Sequence, residues 1–322
     1  MVRCSRRAFI ARSSSAVVVP ALGGCVSEGT PGSPPDMRRL SVGSKNFVEN
    51  RILGFMTYEA VNRVLDRQPV HEIGYGQTSD IWTALVDGSV DTYWEYTGTL
   101  WHVHPPVHDR TDRIDDPDVL YERVRTEMAD HNDLRCFSPA SFDNPYVFVA
   151  RPKWVEETGV TDHSALVEYV SDGATVPTAV GPSFYQRRDG WPGFLDHYEV
   201  EASVRDRWDP HVEVVNLVLA YEFLVTERID VAMGFGTDPQ ISQYDLHVFD
   251  DDRDFFPLYS PLPVVHRTVV ERVDGLDDVL DRLGPAIESV EEMRALNARV
   301  VVEGERPRDV ALSVLRTEGI VP

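Results

Sequence analysis

Lysine is almost missing from this chain. Only Lys45 and Lys153 occur among 31 basic residues, so the other 29 are arginine. Cysteine is scarce too, at three: Cys4, Cys25 and Cys136. So few, so far apart, exclude a disulfide framework and a thiolate metal site. No apolar run approaches the roughly 20 residues that a membrane-spanning helix needs. The sequence has no Gly-x-Ser-x-Gly, no P-loop and no dinucleotide-binding glycine fingerprint, which removes the commonest hydrolase, nucleotide and dehydrogenase signatures. Positive charge is in deficit: 31 basic against 53 acidic residues leave −22. Such a surface repels phosphate, so no nucleic acid is expected as a partner.

The acids are spread along the whole 322 residues, as on a solvated folded surface. An acidic, lysine-poor composition resembles that of proteins from salt-loving archaea. The first 24 residues are set aside as an export signal. Ser5-Arg6-Arg7-Ala8-Phe9 resembles a twin-arginine signal, an apolar stretch from Ala16 to Leu22 follows, and Leu22-Gly23-Gly24-Cys25 resembles a lipoprotein cleavage box. Cys25 is then the lipidated residue, and the protein is expected on the outer face of the cytoplasmic membrane, held by that lipid. Losing Arg3, Arg6, Arg7 and Arg12 with the signal, and no acid, takes the charge from −22 to −26. Residues 25–37, which include Gly29-Thr30-Pro31-Gly32-Ser33-Pro34-Pro35, read as a flexible tether.

Strand and helix signals alternate in the body. Leu40 to Val42, Val70 to Gly74 and Val90 to Tyr96 read as strands. Between them lie a helix with Ile52, Leu53, Met56, Ala60 and Val64 on one face, entered through a capping box Asn46/Glu49, and a second helix from Ile81 to Val86. The β-α-β-α-β order predicts a parallel sheet covered by helices. A second such region follows: strands at Pro145–Ala150, Thr175–Val180, Ile229–Phe235 and Leu246–Phe249, and helices at Ser164–Val170 and Val212–Thr226. From Leu276 onward the chain reads as mostly helical. Parallel α/β sheets bind ligands at the carboxyl ends of their strands. Tyr93, Trp94 and Tyr96 crowd one such end within four positions, in Asp91-Thr92-Tyr93-Trp94-Glu95-Tyr96-Thr97-Gly98-Thr99-Leu100-Trp101, which turns at Thr97-Gly98-Thr99. The six tryptophans are assigned to packing.

Five segments follow one another in a recognisable order: VGSKNFVENRILGFM (Val42–Met56), YWEYTGT (Tyr93–Thr99), RRDGWPGFLDHY (Arg187–Tyr198), DDRDFFPLYSPLP (Asp251–Pro263) and EEMRALNARVVVEGERPRDVA (Glu291–Ala311). They resemble the substrate-binding proteins of ABC transporters for glycine betaine, choline and related osmoprotectants. The resemblance implies an α/β, two-lobed, type II periplasmic-binding-protein-like fold with the ligand cleft between lobes. Lobe one would be 38–140 with 251–322 and lobe two 141–250, with hinges near Ser141-Phe142 and Phe249-Asp250. It implies a membrane permease as partner, no cofactor, no catalysis and a monomer.

The resemblance also implies the site. Tyr96, Tyr146, Phe235 and Tyr259 fall at the positions of an aromatic cage for a quaternary ammonium group, with phenylalanine at 235 where tyrosine is expected. Lys45, Thr99 and Arg187 fall at the carboxylate-binding positions, with Arg188 an alternative to its neighbour. The residue types suit the chemistry. A trimethylammonium group has no hydrogen to donate, and ring faces give it apolar contact and a negative quadrupole together, about 0.5–2 kcal/mol each. Arginine and lysine grip a carboxylate. Choline has no carboxylate, and would leave those cations buried and unpaired, so betaine-like zwitterions are expected to bind better. Two other readings compete. An amino-acid-binding protein would need an acceptor for N–H groups, for which Glu95 is the nearest candidate, and an α/β enzyme is less favoured. His102, His104 and His108 surround a Pro105-Pro106 loop and are not assigned to a metal.

Overall fold

The computed structural model describes residues 39–109 and 112–322. The expected export signal, Cys25 and the tether lie outside the described residues. The body holds two sheets of five strands each. The strands are β1 Ser41–Lys45, β2 Val70–Gly76, β3 Thr92–Tyr96, β4 Leu134–Cys136, β5 Tyr146–Ala150, β6 Thr178–Val180, β7 Val212–Val214, β8 Val231–Phe235, β9 His247–Val248 and β10 Pro261–His266. The first sheet has the order β2-β1-β3-β10-β4 and the second β7-β6-β8-β5-β9.

The two orders are the same pattern. In each, three strands are parallel, and a fourth runs against them and pairs with the fifth. The reversed strand is β5 in the second sheet and β10 in the first. These are the strands on which the chain enters each sheet after passing between them, through residues 137–145 and 249–260. The expected mainly parallel sheets are present, four strands of each sharing one direction. The reversed β10 was not foreseen, because Pro261 and Pro263 argue against a central strand. It is tolerated because the proline carbonyls still accept, from Ala140 and Phe137.

Apolar side chains cover both faces of both sheets. On the first, Ile52, Leu53, Met56 and Ala60 of the helix Val48–Val64 pack with Leu280, Ile287, Met293 and Val310 of the C-terminal region. Ile81, Leu85, Val124 and Met128 cover the opposite face. In β5 the faces alternate residue by residue: Phe148 and Ala150 point into one core, Val147 and Val149 into the other. Five of the six tryptophans are buried, and Trp82 is half-buried, stacked on His104 at 3.8 Å. Cys136 is buried and its thiol is pushed up to about 12 by desolvation.

Three local expectations need correction. The helix Val48–Val64 has Phe47 at its N-cap with no side-chain cap; Asn46 and Glu49 do not form a capping box, because Glu49 is turned inward. Thr97-Gly98-Thr99, read as a turn after the strand, is the first turn of a helix, Thr97–His102. The apolar run Val212–Thr226 is not one helix. It begins as β7 and becomes helical at Leu217, where Asn216 caps the Leu219 N–H at 3.0 Å. A helix at Pro117–Asn132 was not anticipated, although Asp116 caps it and Leu120, Val124 and Met128 line its buried side.

Phe148 is fully buried, with its ring edge-on to Trp191 and Phe194. Phe148→Ala should cost about 3–5 kcal/mol of unfolding free energy, read by denaturant titration in high salt.

Candidate ligand-binding site

The strand registers assemble the site. Lys45, Tyr96 and Phe235 are the last residues of β1, β3 and β8. Because β5 is antiparallel, its first residue, Tyr146, lies opposite Phe235 at the same sheet edge. The same reversal places Pro261 of β10 opposite Tyr96, so Tyr259 arrives beside the start of the helix Thr97–His102. Gly98 permits the approach: a Cβ there would sit 2.5 Å from the Leu258 carbonyl oxygen. Arg187 follows the short helix Pro182–Gln186 after β6.

All seven residues singled out in the sequence — Lys45, Tyr96, Thr99, Tyr146, Arg187, Phe235 and Tyr259 — line one cavity of about 480 Å³, mouth included. Arg188 lines a separate outer depression with His102 and Asp196. The cavity also has a fifth ring, Phe47, which stacks at 6.1 Å on Tyr96 and 5.2 Å on Phe235. Tyr146 continues the series, 5.2 Å from Phe235 and 5.5 Å from Tyr259. The sequence carried a signal for Phe47: an aromatic beside Lys45 that fits no position of the following helix's buried stripe. Asn144, Gln77 and Ser183 line the cavity too, and Ser183 donates to Gln77 across its mouth at 3.0 Å.

The charges are paired beneath the rings. Lys45 is buried and bound to Glu95, which also accepts from Tyr93 at 2.9 Å and the Tyr96 N–H at 2.9 Å, and contacts His104 at 3.1 Å. Burial works to raise the Glu95 carboxyl, but the Lys45 charge and His104 bring it down to about 2. Arg187 donates to both oxygens of Asp189 and, at 3.3 Å, to Thr99. Asp189 is buried and held below the usual carboxylate range by that guanidinium, against its desolvation. The expectation that choline would strand two unpaired cations therefore needs revision, since each cation already has a buried carboxylate. Glu95 is enclosed in its own pairings and is not among the residues that line the cavity.

One acid was missed. Glu49, buried behind Tyr96 and Asn144, accepts from Tyr96 Oη at 2.7 Å, from Asn144 Nδ2 at 2.9 Å and from the Thr237 hydroxyl. Burial pushes its carboxyl up, opposed by those donors. Of the histidines, His104 meets Glu95 and His108 meets Glu127. Among the described residues no cluster of three or more potential ligands could hold a metal, and no helix is long and apolar enough to cross a membrane.

A family model for the substrate-binding domain of ABC-type glycine betaine transport systems matches residues 38–316. The chain belongs to this family. A chemotactic signal transduction system substrate-binding protein of Halobacterium salinarum is 31% identical over 272 residues, 83% of this chain and 80% of that one. The glycine-betaine-binding protein of Pseudomonas aeruginosa is 27% identical, covering 86% and 87%. Among solved structures, a glycine betaine/carnitine/choline ABC transporter protein superposes with a TM-score of 0.67 at 23% identity, over 87% of this chain and 99% of its own. The fold is thus the two-lobed type II binding-protein fold. The family is one of transport, not of enzymes.

Asp238, after β8, fixes the edge on which Phe235 sits. Its carboxyl accepts the Phe235 N–H and the Tyr221 hydroxyl, each at 2.8 Å, and burial raises it from 3.8 to about 7. A raised carboxyl takes up a proton on folding, so its contribution to stability falls as pH rises from 3.8 to about 7. The unfolding free energy of Asp238→Asn minus that of the parent should grow across that window and level off above it; a difference that does not change with pH would contradict the assignment.

Proposed function

We propose that this protein is the extracellular solute-binding lipoprotein of an ABC importer, and that its ligand is glycine betaine or a related quaternary ammonium zwitterion. The observation that carries the reading is the convergence of five rings and two basic side chains on one cavity. The methylated nitrogen sits among Tyr96, Tyr146, Phe235, Tyr259 and Phe47. The carboxylate meets Arg187, Lys45 and Thr99. Arg187 has five N–H donors and makes three hydrogen bonds, and Lys45 has three donors with one given to Glu95, so both have capacity for a ligand oxygen. Lobe one, 38–140 with 251–322, closes on lobe two, 141–250, about hinges near Ser141-Phe142 and Phe249-Asp250. Cys25 carries the lipid after twin-arginine export, the closed protein docks as a monomer on its permease, and it works outside the cell in high salt.

Salt decides where recognition lies. At molar salt the Debye length is about 3 Å, so the acidic exterior steers little, whereas contacts in a dry cleft are screened much less. Because Asp189 and Glu95 already neutralise the two cations, preference for betaine over choline should be modest. Calorimetry in molar salt should show betaine bound more tightly than choline, with glycine bound poorly. Arg187→Ala should weaken betaine more than choline, and equal losses would reject its role at the carboxylate. Tyr96→Ala should weaken both by about tenfold, the scale of one cation–ring contact with its packing.

The 31% identity to a chemotaxis substrate-binding protein favours a second reading, in which the liganded form reports to a chemotaxis receptor. A deletion strain separates the two. Lost betaine uptake with normal swimming supports the importer, and lost attraction with normal uptake supports the receptor.

A further inference from the structure

The cage walls are rings, and the negative charge lies one layer behind them. Tyr96 donates its hydroxyl to Glu49 Oε1 at 2.7 Å, and Tyr259 donates its own to Asp189 Oδ2 at 2.7 Å. A phenol that donates to a carboxylate becomes richer in electrons, and its ring face becomes a better host for a cation. The two carboxylates differ in what balances them. Asp189 is matched by Arg187. The side chains that donate to Glu49 are all neutral: Tyr96, Asn144 and Thr237. Their arrangement is that of donors around an acceptor. The Thr237 N–H donates to Asn144 Oδ1 at 3.1 Å, which fixes the amide so that its NH₂ faces Glu49. An ionised carboxylate is acceptor-only and suits this setting. A buried anion without a buried partner is costly, and a permanent cation brought against the ring in front of it recovers part of that cost.

We propose that Glu49 and Asp189 are specificity-determining residues that act through the phenols of Tyr96 and Tyr259 to select a permanent cation over a neutral group of the same shape. Glu49 is the stronger of the two, because the ligand's nitrogen is its counter-charge. Both are positioning residues that act through a ring and need not touch the ligand. The proposal rests on the reading of the cavity as a quaternary ammonium site and names how that site tells charge from shape.

The test compares glycine betaine with 3,3-dimethylbutanoate, in which a tert-butyl group replaces the trimethylammonium and the carboxylate is kept. Any change at the carboxylate end affects both ligands and cancels in the ratio of their affinities. Calorimetry on the intact protein in molar salt would use the parent, Glu49→Gln, Asp189→Asn, Tyr96→Phe and the Glu49→Gln/Tyr96→Phe double variant. Glu49→Gln should narrow the betaine-to-isostere ratio by about tenfold, the scale of one cation–ring interaction. Asp189→Asn should narrow it less. Tyr96→Phe should narrow it too and add little to Glu49→Gln. Equal loss of both ligands, with the ratio kept in Glu49→Gln and Asp189→Asn, would assign the carboxylates a structural role and overturn the proposal. Should Glu49→Gln not fold, the ratios for Asp189→Asn and Tyr96→Phe decide it alone. A parent protein that binds the isostere as tightly as betaine, or binds neither, overturns the underlying reading and the proposal with it.

Discussion

In each sheet one strand runs against the others, and the position of the site follows from that reversal. The parallel strands β1, β3 and β8 end at their sheets' carboxyl edges and deliver Lys45, Tyr96 and Phe235 there. A further parallel strand would begin at the opposite edge. The reversed β5 begins at this edge instead, so Tyr146 pairs with Phe235, and the reversed β10 brings Tyr259 in beside Tyr96. The same two strands carry the chain from one sheet to the other. The connection that joins the halves of the molecule is therefore also what furnishes the ring cavity.

Around that cavity the energetic problem is the burial of charge. Lys45 with Glu95 and Arg187 with Asp189 are pairs in which both members are withdrawn from water, and each is supported by further hydrogen bonds. Breaking such a pair by removing one member is far more costly than the pair is stabilising, because a lone charge stays behind. The pairs hold their side chains in fixed geometry and leave donors over for a ligand. Glu49 is different, since neutral donors alone surround it, and its setting links the helix Val48–Val64 to Asn144 and Thr237 beyond the first sheet.

Much of this was legible in the chain. The helix Val48–Val64 was visible in its apolar spacing, and the strands near Val70, Tyr146 and Val231 in their short β-branched and aromatic runs. The candidate rings and cations came from the family resemblance; periodicity alone gave no reason to choose Tyr259 over any other buried tyrosine. Where the reading failed, a local signal was outvoted. Two prolines hid β10, whose neighbours use the proline carbonyls instead. The apolar run from Val212 hid a change from strand to helix that Asn216 alone marks. Glu49 had the spacing of a capping residue, and it caps nothing because three donors distant in sequence claim it.

By itself the sequence determined the alternation of elements, the acidic composition, the family resemblance and the residue types that line the cavity. These depend on spacing and on side-chain chemistry, both of which are local. Only the tertiary structure decided that Lys45 meets Glu95, that Phe47 joins the rings, and that Glu49 stands behind Tyr96. Those contacts join residues 47 to 188 positions apart, and no local pattern encodes a partner at that distance, because it is the strand registers that bring the groups within reach.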